Sequence, residues 1–205
     1  MNAHTQRQTV AGPSGAIECA IDAPTGMSRG VAVICHPHPQ HGGTMDNKVV
    51  QTLARAFTQL GYTSVRFNFR GVGASAGAWA HGPGEIDDAM AVVAALRAPG
   101  LPLVLAGFSF GAYVASHAAA RLAAGGVAAE RLVLVAPAAS RFDMVPVSPD
   151  TLLVHGEADD VVPLAAVFDW ARPQSLPVTV IPGAGHFFHG QLTLLRSLVV
   201  GAWHR

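Results

Sequence analysis

Residues 103–122 read LVLAGFSFGAYVASHAAARL, and this stretch decides the fold. The continuous apolar run Leu103–Gly107 is typical of a strand buried on both faces, and the alanine-rich segment Phe110–Leu122 favours a helix. Between them, Ser109 has one glycine two residues before it and another two residues after it. When a strand turns directly into a helix, only a residue as small as glycine clears the neighbouring backbone at those two positions. The pattern therefore predicts a sharp turn that presents the Ser109 hydroxyl at the end of a strand.

Apolar runs elsewhere in the chain alternate with segments of helical spacing. Arg7–Val10 and Ala16–Ile21 flank Pro13-Ser14-Gly15, which predicts an antiparallel hairpin at the start of the chain. Further strands are predicted at Val31–Cys35, Thr63–Phe69, Leu132–Ala136, Leu152–His155 and Val178–Ile181. Further helices are predicted from an Asp46 N-cap to about Leu60, and at Glu85–Arg97, Pro163–Trp170 and Phe188–Val200. This alternation predicts one α/β domain, residues 1–205, with a doubly wound, mostly parallel eight-stranded sheet flanked by helices.

Composition restricts the classes of partner. The 205 residues carry no formal net charge, and their lysines and arginines are scattered, which argues against a nucleic-acid or anionic-membrane surface. Every apolar run is interrupted before the ~18 residues that a membrane-spanning helix needs. The cysteines Cys19 and Cys35 cannot form a disulfide framework, and the polar stretch Met1–Gln8 has no signal-peptide pattern. The sequence therefore predicts a cytoplasmic protein that acts on a small molecule.

A serine hydroxyl becomes a good nucleophile only when a base takes its proton and a carboxylate orients that base. In doubly wound sheets, functional side chains gather at the carboxyl ends of the strands. The loop after Leu152–His155 carries three acids, Glu157, Asp159 and Asp160. Asp159 is preferred because it lies far enough beyond the strand to curl back over its end, whereas Asp160 could instead cap the following helix.

The histidine is chosen among ten in the chain. His186 is preferred, because Gly183 and Gly185 leave its loop free to bend over Ser109. His189 falls inside the predicted last helix, and His155 falls within its strand, where a structural role is expected. The order serine, acid, histidine is the order expected when the nucleophile follows a strand–turn–helix.

A histidine-rich loop, Cys35-His36-Pro37-His38-Pro39-Gln40-His41-Gly42-Gly43, follows the strand Val31–Cys35. One oxyanion donor is expected at the Phe110 N–H and a second in this loop, where His38 is the first residue after His36 with an N–H and Gln40 is the next. A metal site formed by His36, His38 and His41 is the alternative. The intervening prolines, and the lack of a nearby cysteine or carboxylate before Asp46, argue against it. We expect Cys35 to point into the core and the protein to need no cofactor.

With these residues, the chain resembles the α/β-hydrolase superfamily over nearly its whole length. It is most similar to small bacterial lid-less members that carry the loop His-Pro-His-Pro…Gly-Gly-Thr-Met-Asp-Asn, here residues 36–47. The other matching stretches are Arg66–Ser75, Gly107–Gly111, His155–Pro163 and His186–Phe188. The resemblance implies that Ser109, Asp159 and His186 form a catalytic triad, with oxyanion donors at Phe110 and His38. It implies no particular substrate, because members of the superfamily hydrolyse esters, thioesters, amides, lactones and epoxides.

Only Ser140–Asp150 joins the strands Leu132–Ala136 and Leu152–His155, which is too short for a cap domain. We therefore expect an open substrate site, suited to short or protruding acyl groups. The aromatic and sulfur side chains expected to line it are Phe108, Phe110, Phe142, Met144, Phe187 and Trp79. Arg70 and Asp88 are expected to form a structural pair beneath it.

These observations predict a serine hydrolase that cleaves a carboxylic ester through an acyl-enzyme intermediate. A peptidase or a thioesterase with the same triad is the alternative within enzymes. A binding protein that keeps the fold without catalysis is the alternative outside enzymes.

Overall fold

The computed structural model of the chain describes residues 5–204. The first four residues of the polar stretch Met1–Gln8, and the last residue of the predicted domain, lie outside the described residues. The strands are β1 (Gln6–Gly12), β2 (Gly15–Asp22), β3 (Val31–Cys35), β4 (Thr63–Phe67), β5 (Leu103–Phe108), β6 (Arg131–Val135), β7 (Leu152–Gly156) and β8 (Val178–Ile181).

These strands form one sheet in the order β1-β2-β4-β3-β5-β6-β7-β8. β1 and β2 form the predicted antiparallel hairpin, and β2 is also antiparallel to β4. All pairs from β4 to β8 across the sheet are parallel. Every residue of β3 and β5 is buried, as expected for central strands that are covered on both faces. The predicted doubly wound, mostly parallel sheet is confirmed.

The described residues contain five α-helices: α1 (Lys48–Gln59), α2 (Pro83–Leu96), α3 (Phe110–Ala124), α4 (Leu164–Ala171) and α5 (Leu192–Gly201). α1 and α5 pack on one face of the sheet, and α2, α3 and α4 pack on the other, so that each face has its own apolar core. Single turns of 3₁₀ helix occur at Pro39–His41, Arg172–Gln174 and Ala202–His204. Within residues 5–204, none of the helices combines the length and apolar character that crossing a bilayer requires.

The predicted N-cap of α1 is wrong by one residue. Asn47 is the N-cap, and its side-chain oxygen accepts a hydrogen bond from the Val49 N–H at 2.9 Å. The Asp46 carboxylate instead accepts a hydrogen bond from Arg66 at 3.0 Å and pairs with Arg7. Asparagine and aspartate are equally good helix caps. The ion pairs of Asp46, which form only in the folded chain, therefore leave the capping position to Asn47.

Two other predicted boundaries are wrong for local reasons. β4 ends two residues earlier than predicted, because the Phe69 N–H donates to His36 Nε2 at 3.0 Å. α5 begins at Leu192, because Phe188 lies in the left-handed region at φ 52° and cannot start a helix. His189 therefore lies in the turn that precedes α5, and not inside the helix.

The connection from β6 to β7 contains no helix over residues 136–151, although the two strands are parallel neighbours. The segment Ser140–Asp150 follows turns and extended backbone instead. The predicted absence of a cap domain is confirmed. The predicted pair of Arg70 and Asp88 is also confirmed. Both carboxylate oxygens of Asp88 accept hydrogen bonds from the Arg70 guanidinium, at 2.8 and 3.0 Å.

Candidate active site

Ser109 lies at the turn between β5 and α3, with φ 57° and ψ −119°. Residues with a side chain seldom adopt such a positive φ. The turn requires the flanking glycines, because the closely packed backbone leaves no space for a side chain at either position. A Cβ at Gly107 would lie 2.0 Å from the Gly111 carbonyl oxygen, and a Cβ at Gly111 would lie 2.2 Å from the Cys35 carbonyl oxygen. The second approach brings the start of α3 against the end of β3, and with it Ser109 against the histidine-rich loop.

Three polar side chains from separate loops meet at this turn. His186 Nε2 lies 3.0 Å from Ser109 Oγ, and His186 Nδ1 lies 2.7 Å from Asp159 Oδ2. The three loops follow β5, β7 and β8, which end at the same edge of the parallel sheet. All three side chains are buried. The arrangement can pass a proton from the serine to the imidazole while the carboxylate holds the ring.

Asp159 is held by two further hydrogen bonds. Its Oδ1 accepts the backbone N–H groups of Val161 and Val162, at 2.9 and 2.8 Å. Burial alone would raise the pKa of Asp159, but the hydrogen bonds from His186 and from these backbone groups outweigh it and hold the pKa below its ordinary value. The carboxylate is therefore ionised and fixed in orientation at neutral pH.

None of the other acids and histidines considered from the sequence is hydrogen-bonded to Ser109 or His186, although His155 Nε2 lies 3.5 Å from Asp159 Oδ2. Glu157 is exposed and accepts a backbone N–H at 2.9 Å, and Asp160 is exposed. His155 lies within β7, where its Nε2 is 3.0 Å from the Val162 carbonyl oxygen, in agreement with the expected structural role. His189 is exposed. Of these groups, the structure brings only Asp159 and His186 together with Ser109.

His36 is buried at the end of β3, and both of its ring nitrogens are engaged. Nε2 accepts the Phe69 N–H at 3.0 Å, so Nδ1 carries the proton and donates it to the Pro37 carbonyl oxygen at 2.6 Å. A neutral ring in this tautomer has no free lone pair to offer a metal ion. Within residues 5–204, no group of three or more His, Cys, Asp or Glu side chains is arranged to hold a metal. His36 is therefore not available as a ligand for the alternative metal site with His38 and His41.

Burial lowers the pKa of His36 to about 3, so the folded protein keeps this ring neutral. Below pH 6.5 the unfolded chain binds a proton that the folded protein does not, and stability should therefore fall with falling pH. This one ring should contribute about 1.4 kcal/mol per pH unit to that fall between about pH 6 and 4. We expect urea unfolding to show a smaller pH dependence in His36→Gln, which keeps an acceptor for the Phe69 N–H. An unchanged slope in this variant would contradict the neutral, buried state of His36.

The two expected oxyanion donors are the backbone N–H groups of Phe110 and His38. Phe110 is the first residue of α3, so its N–H has no acceptor within the helix. Among the described residues, the His38 N–H also donates to no protein acceptor, whereas the Gln40 N–H donates to His38 Nδ1 at 3.2 Å. His38 is thus the better placed of the two loop residues. The His38 ring packs against the rings of Trp79 and Phe110, and these contacts hold the loop in place.

A cavity of about 570 Å³ opens beside Ser109 and His186. Its size is within the usual range for a small-molecule site. The lining is mostly apolar and comes from the histidine-rich loop, the start of α3, the β6–β7 connection, the acid loop and the His186 loop. The lining residues are Pro37, His38, His41, Gly42, Gly43, Asn47, Ser109, Phe110, Ala138, Arg141, Phe142, Val161, Val162, His186 and Phe187.

Of the side chains predicted to contact substrate, Phe110, Phe142 and Phe187 line this cavity, and the other three do not. Phe108 is fully buried, and its ring packs behind His186 with 5.0 Å between ring centroids. Met144 belongs to the β6–β7 connection, and its side chain is buried in the core. Trp79 is half-buried and packs against His38 and Phe110, which do line the cavity. A direct contact of Phe108, Met144 or Trp79 with substrate stays a prediction.

A family model described as serine aminopeptidase, S33, matches residues 27–149, which is more than half of the chain. The chain belongs to this family. The hydrolase is 41% identical to an α/β serine hydrolase without a lid from Xanthomonas campestris, with a TM-score of 0.88 over 100% of this chain and 96% of the other. It is also 41% identical to an α/β serine hydrolase homologue from Coxiella burnetii, with a TM-score of 0.84 over 96% of each chain. These similarities confirm the α/β-hydrolase fold.

A further relative is an uncharacterised protein of Rickettsia prowazekii (strain Madrid E). The two are 31% identical over an alignment of 193 residues, which covers 86% of this chain and 79% of the relative.

Sequence reasoning missed several residues that line the cavity. Arg141 lies in the same loop as Ala138 and Phe142, after the parallel strand β6. A position after the carboxyl end of a parallel strand is a sequence signal for a residue that lines the site. Val161 and Val162 directly follow the acid loop, and their backbone holds Asp159. The sequence suggests a role for His41 only as a metal ligand. In the structure, its side chain is exposed and lines the cavity.

Proposed function

We propose that this hydrolase is a carboxylesterase in which Ser109 is the nucleophile, His186 the general base and Asp159 the residue that orients the imidazole. The observation that carries the proposal is the hydrogen-bonded chain from Ser109 Oγ through His186 to Asp159, at 3.0 and 2.7 Å, at the edge of a largely apolar cavity. This is the geometry that converts a serine hydroxyl into a nucleophile.

In the proposed reaction, Ser109 Oγ attacks the ester carbonyl while His186 Nε2 takes the hydroxyl proton. The N–H groups of Phe110 and His38 stabilise the oxyanion that forms. His186 then gives the proton to the departing alcohol, which leaves an acyl group on Ser109. A water molecule, deprotonated by His186, hydrolyses the acyl-enzyme and restores the free serine.

The cavity supports an ester rather than a peptide with a free amino terminus. An aminopeptidase must bind a positively charged ammonium group, and a desolvated ammonium needs a carboxylate partner. In the described part of the chain, no aspartate or glutamate lines the cavity, and Arg141 places a positive charge there. The lining is therefore better suited to an acyl group that carries no free amine.

A substrate comparison tests the proposal. We expect release of 4-nitrophenol from 4-nitrophenyl butyrate, and no turnover of L-alanine 4-nitroanilide or its N-acetyl derivative. The acetylated anilide is the matched control, because an aminopeptidase requires the free amine that acetylation removes. Preferential cleavage of the free-amine anilide would overturn the esterase proposal and favour the peptidase alternative.

We also propose that residues 1–205 form one domain that works in the cytoplasm. A single sheet that includes strands from β1 to β8 supports one domain. Cys19 and Cys35 are both free and buried, which fits a reducing compartment. Cys35 lies in the core as predicted, and burial raises the pKa of its thiol, so it is not a nucleophile.

A further inference from the structure

Arg141 has an unusual position for a charged residue of this protein. It is exposed in the loop that follows β6, and it lines the cavity that contains Ser109 and His186. Among the lining residues in the described part of the chain, it is the only lysine or arginine, and none is an aspartate or glutamate. Among the described side chains that line the cavity, the one that always carries a charge is therefore Arg141, and Asp159 lies behind His186.

The guanidinium of Arg141 is not engaged by the protein. Within residues 5–204, Arg141 has no carboxylate within ion-pair distance and makes no side-chain hydrogen bond. By contrast, Arg66 and Arg70, which lie in the same hydrolase away from the cavity, are both paired with buried acids. The donors of Arg141 are thus available to a bound molecule.

The charge of Arg141 also acts within the site. His38, which lines the same cavity, has its pKa lowered first by burial and then by the electrostatic effect of the neighbouring His41 and Arg141 side chains. A ring that stays neutral does not compete with Arg141 for an anion. Close to Arg141, the positive charge therefore favours a negatively charged group on the ligand.

From this arrangement we infer that the hydrolase prefers esters that carry a carboxylate, which the Arg141 guanidinium binds while the apolar wall holds the carbon chain. The inference rests on the proposed esterase function and narrows its substrate class. A guanidinium and a carboxylate form parallel charge-assisted hydrogen bonds, which an ammonium cannot reproduce with the same geometry. Phe142, next in the sequence, supplies apolar surface beside the charge.

Two matched pairs of substrates test this inference and locate the carboxylate. Mono-4-nitrophenyl adipate and its methyl ester differ only in a charge on the acyl side. 4-Carboxyphenyl butyrate and its methyl ester differ only in a charge on the leaving group. We expect the native hydrolase to prefer the charged member of at least one pair, with the difference mainly in KM, and to lose part of that preference at high salt.

Variants of Arg141 give the decisive comparison. Arg141→Gln should lower kcat/KM for the preferred charged ester about tenfold more than kcat/KM for its neutral methyl ester. Arg141→Lys should retain an intermediate preference. Arg172→Gln is the control for net charge, because Arg172 is exposed, pairs with Asp169 and, in the described part of the chain, is not among the residues that line the cavity. Equal effects of Arg141→Gln on both members of a pair, or an equal loss in Arg172→Gln, would overturn the inference.

A binding measurement separates this inference from the esterase proposal. Ser109→Ala protein should bind mono-4-nitrophenyl adipate more tightly than the methyl ester by calorimetry, and Ser109→Ala/Arg141→Gln should not. Turnover of neutral esters without any charge preference would reject the inference alone. Charge-selective binding without ester turnover would reject the esterase proposal and keep the anion site.

Discussion

Ser109→Ala should lower kcat for a 4-nitrophenyl ester by about five to six orders of magnitude, the loss that removal of a triad serine produces in other serine hydrolases. The expected effect is this large because His186 would have no hydroxyl to deprotonate, and no acyl-enzyme could form. The fold should tolerate the change, since the Ser109 backbone N–H still donates to the Val135 carbonyl oxygen at 2.9 Å.

Covalent labelling provides the measurement. A fluorophosphonate probe should add one label to the native hydrolase, located at Ser109 by peptide mass spectrometry, and none to Ser109→Ala. Ser116→Ala is the matched control on the same helix, because Ser116 is buried and its hydroxyl donates to the Tyr113 carbonyl oxygen at 2.8 Å. Absence of label in the native protein, or equal labelling of Ser109→Ala, would rule out Ser109 as the nucleophile.

Asp159→Asn should lower kcat by about four orders of magnitude with little loss of stability. The asparagine oxygen is expected to stay toward the N–H groups of Val161 and Val162, which turns its NH₂ group toward His186 Nδ1. The imidazole must then accept at Nδ1 and carry its proton on Nε2. In that tautomer Nε2 cannot take the proton of Ser109.

Neighbouring acids supply the controls for this second prediction. Asp160→Asn and Glu157→Gln remove the same charge from the same loop, and both should keep kcat within about twofold, as expected for exposed substitutions. Steady-state kinetics of the three variants, with thermal unfolding to verify the fold, distinguishes the candidates. A large loss in Asp160→Asn with a small loss in Asp159→Asn would transfer the orienting role to Asp160.

Much of the architecture could be predicted because it depends on local patterns. The run Leu103–Gly107 and the glycines around Ser109 imply the strand, the turn and the helix without reference to the rest of the chain. The hairpin at Pro13-Ser14-Gly15 and the short β6–β7 connection are local in the same sense. The roles of Asp159 and His186 stay predictions, although the structure places both beside Ser109.

Boundaries and cavity lining could not be predicted to the same degree. Asp46 and Asn47 are equally good helix caps when the local sequence alone is considered. Asp46 is engaged by Arg66 from β4, and Asn47 therefore caps the helix. The strand β4 does not continue to Phe69, because the His36 ring, from the loop after β3, accepts the Phe69 N–H. Such contacts join residues that are distant in the sequence.

The amino-acid sequence by itself determined the sharp turn at Ser109, the order of serine, acid and histidine along the chain, and the parallel sheet that brings their loops to one edge. These features follow from side-chain size and apolar periodicity over a few residues at a time. Only the tertiary structure decided that Phe108, Met144 and Trp79 lie outside the cavity lining and that Arg141 lies within it. The direction of a side chain at a loop end depends on packing between loops from several strands, and no local pattern contains that information.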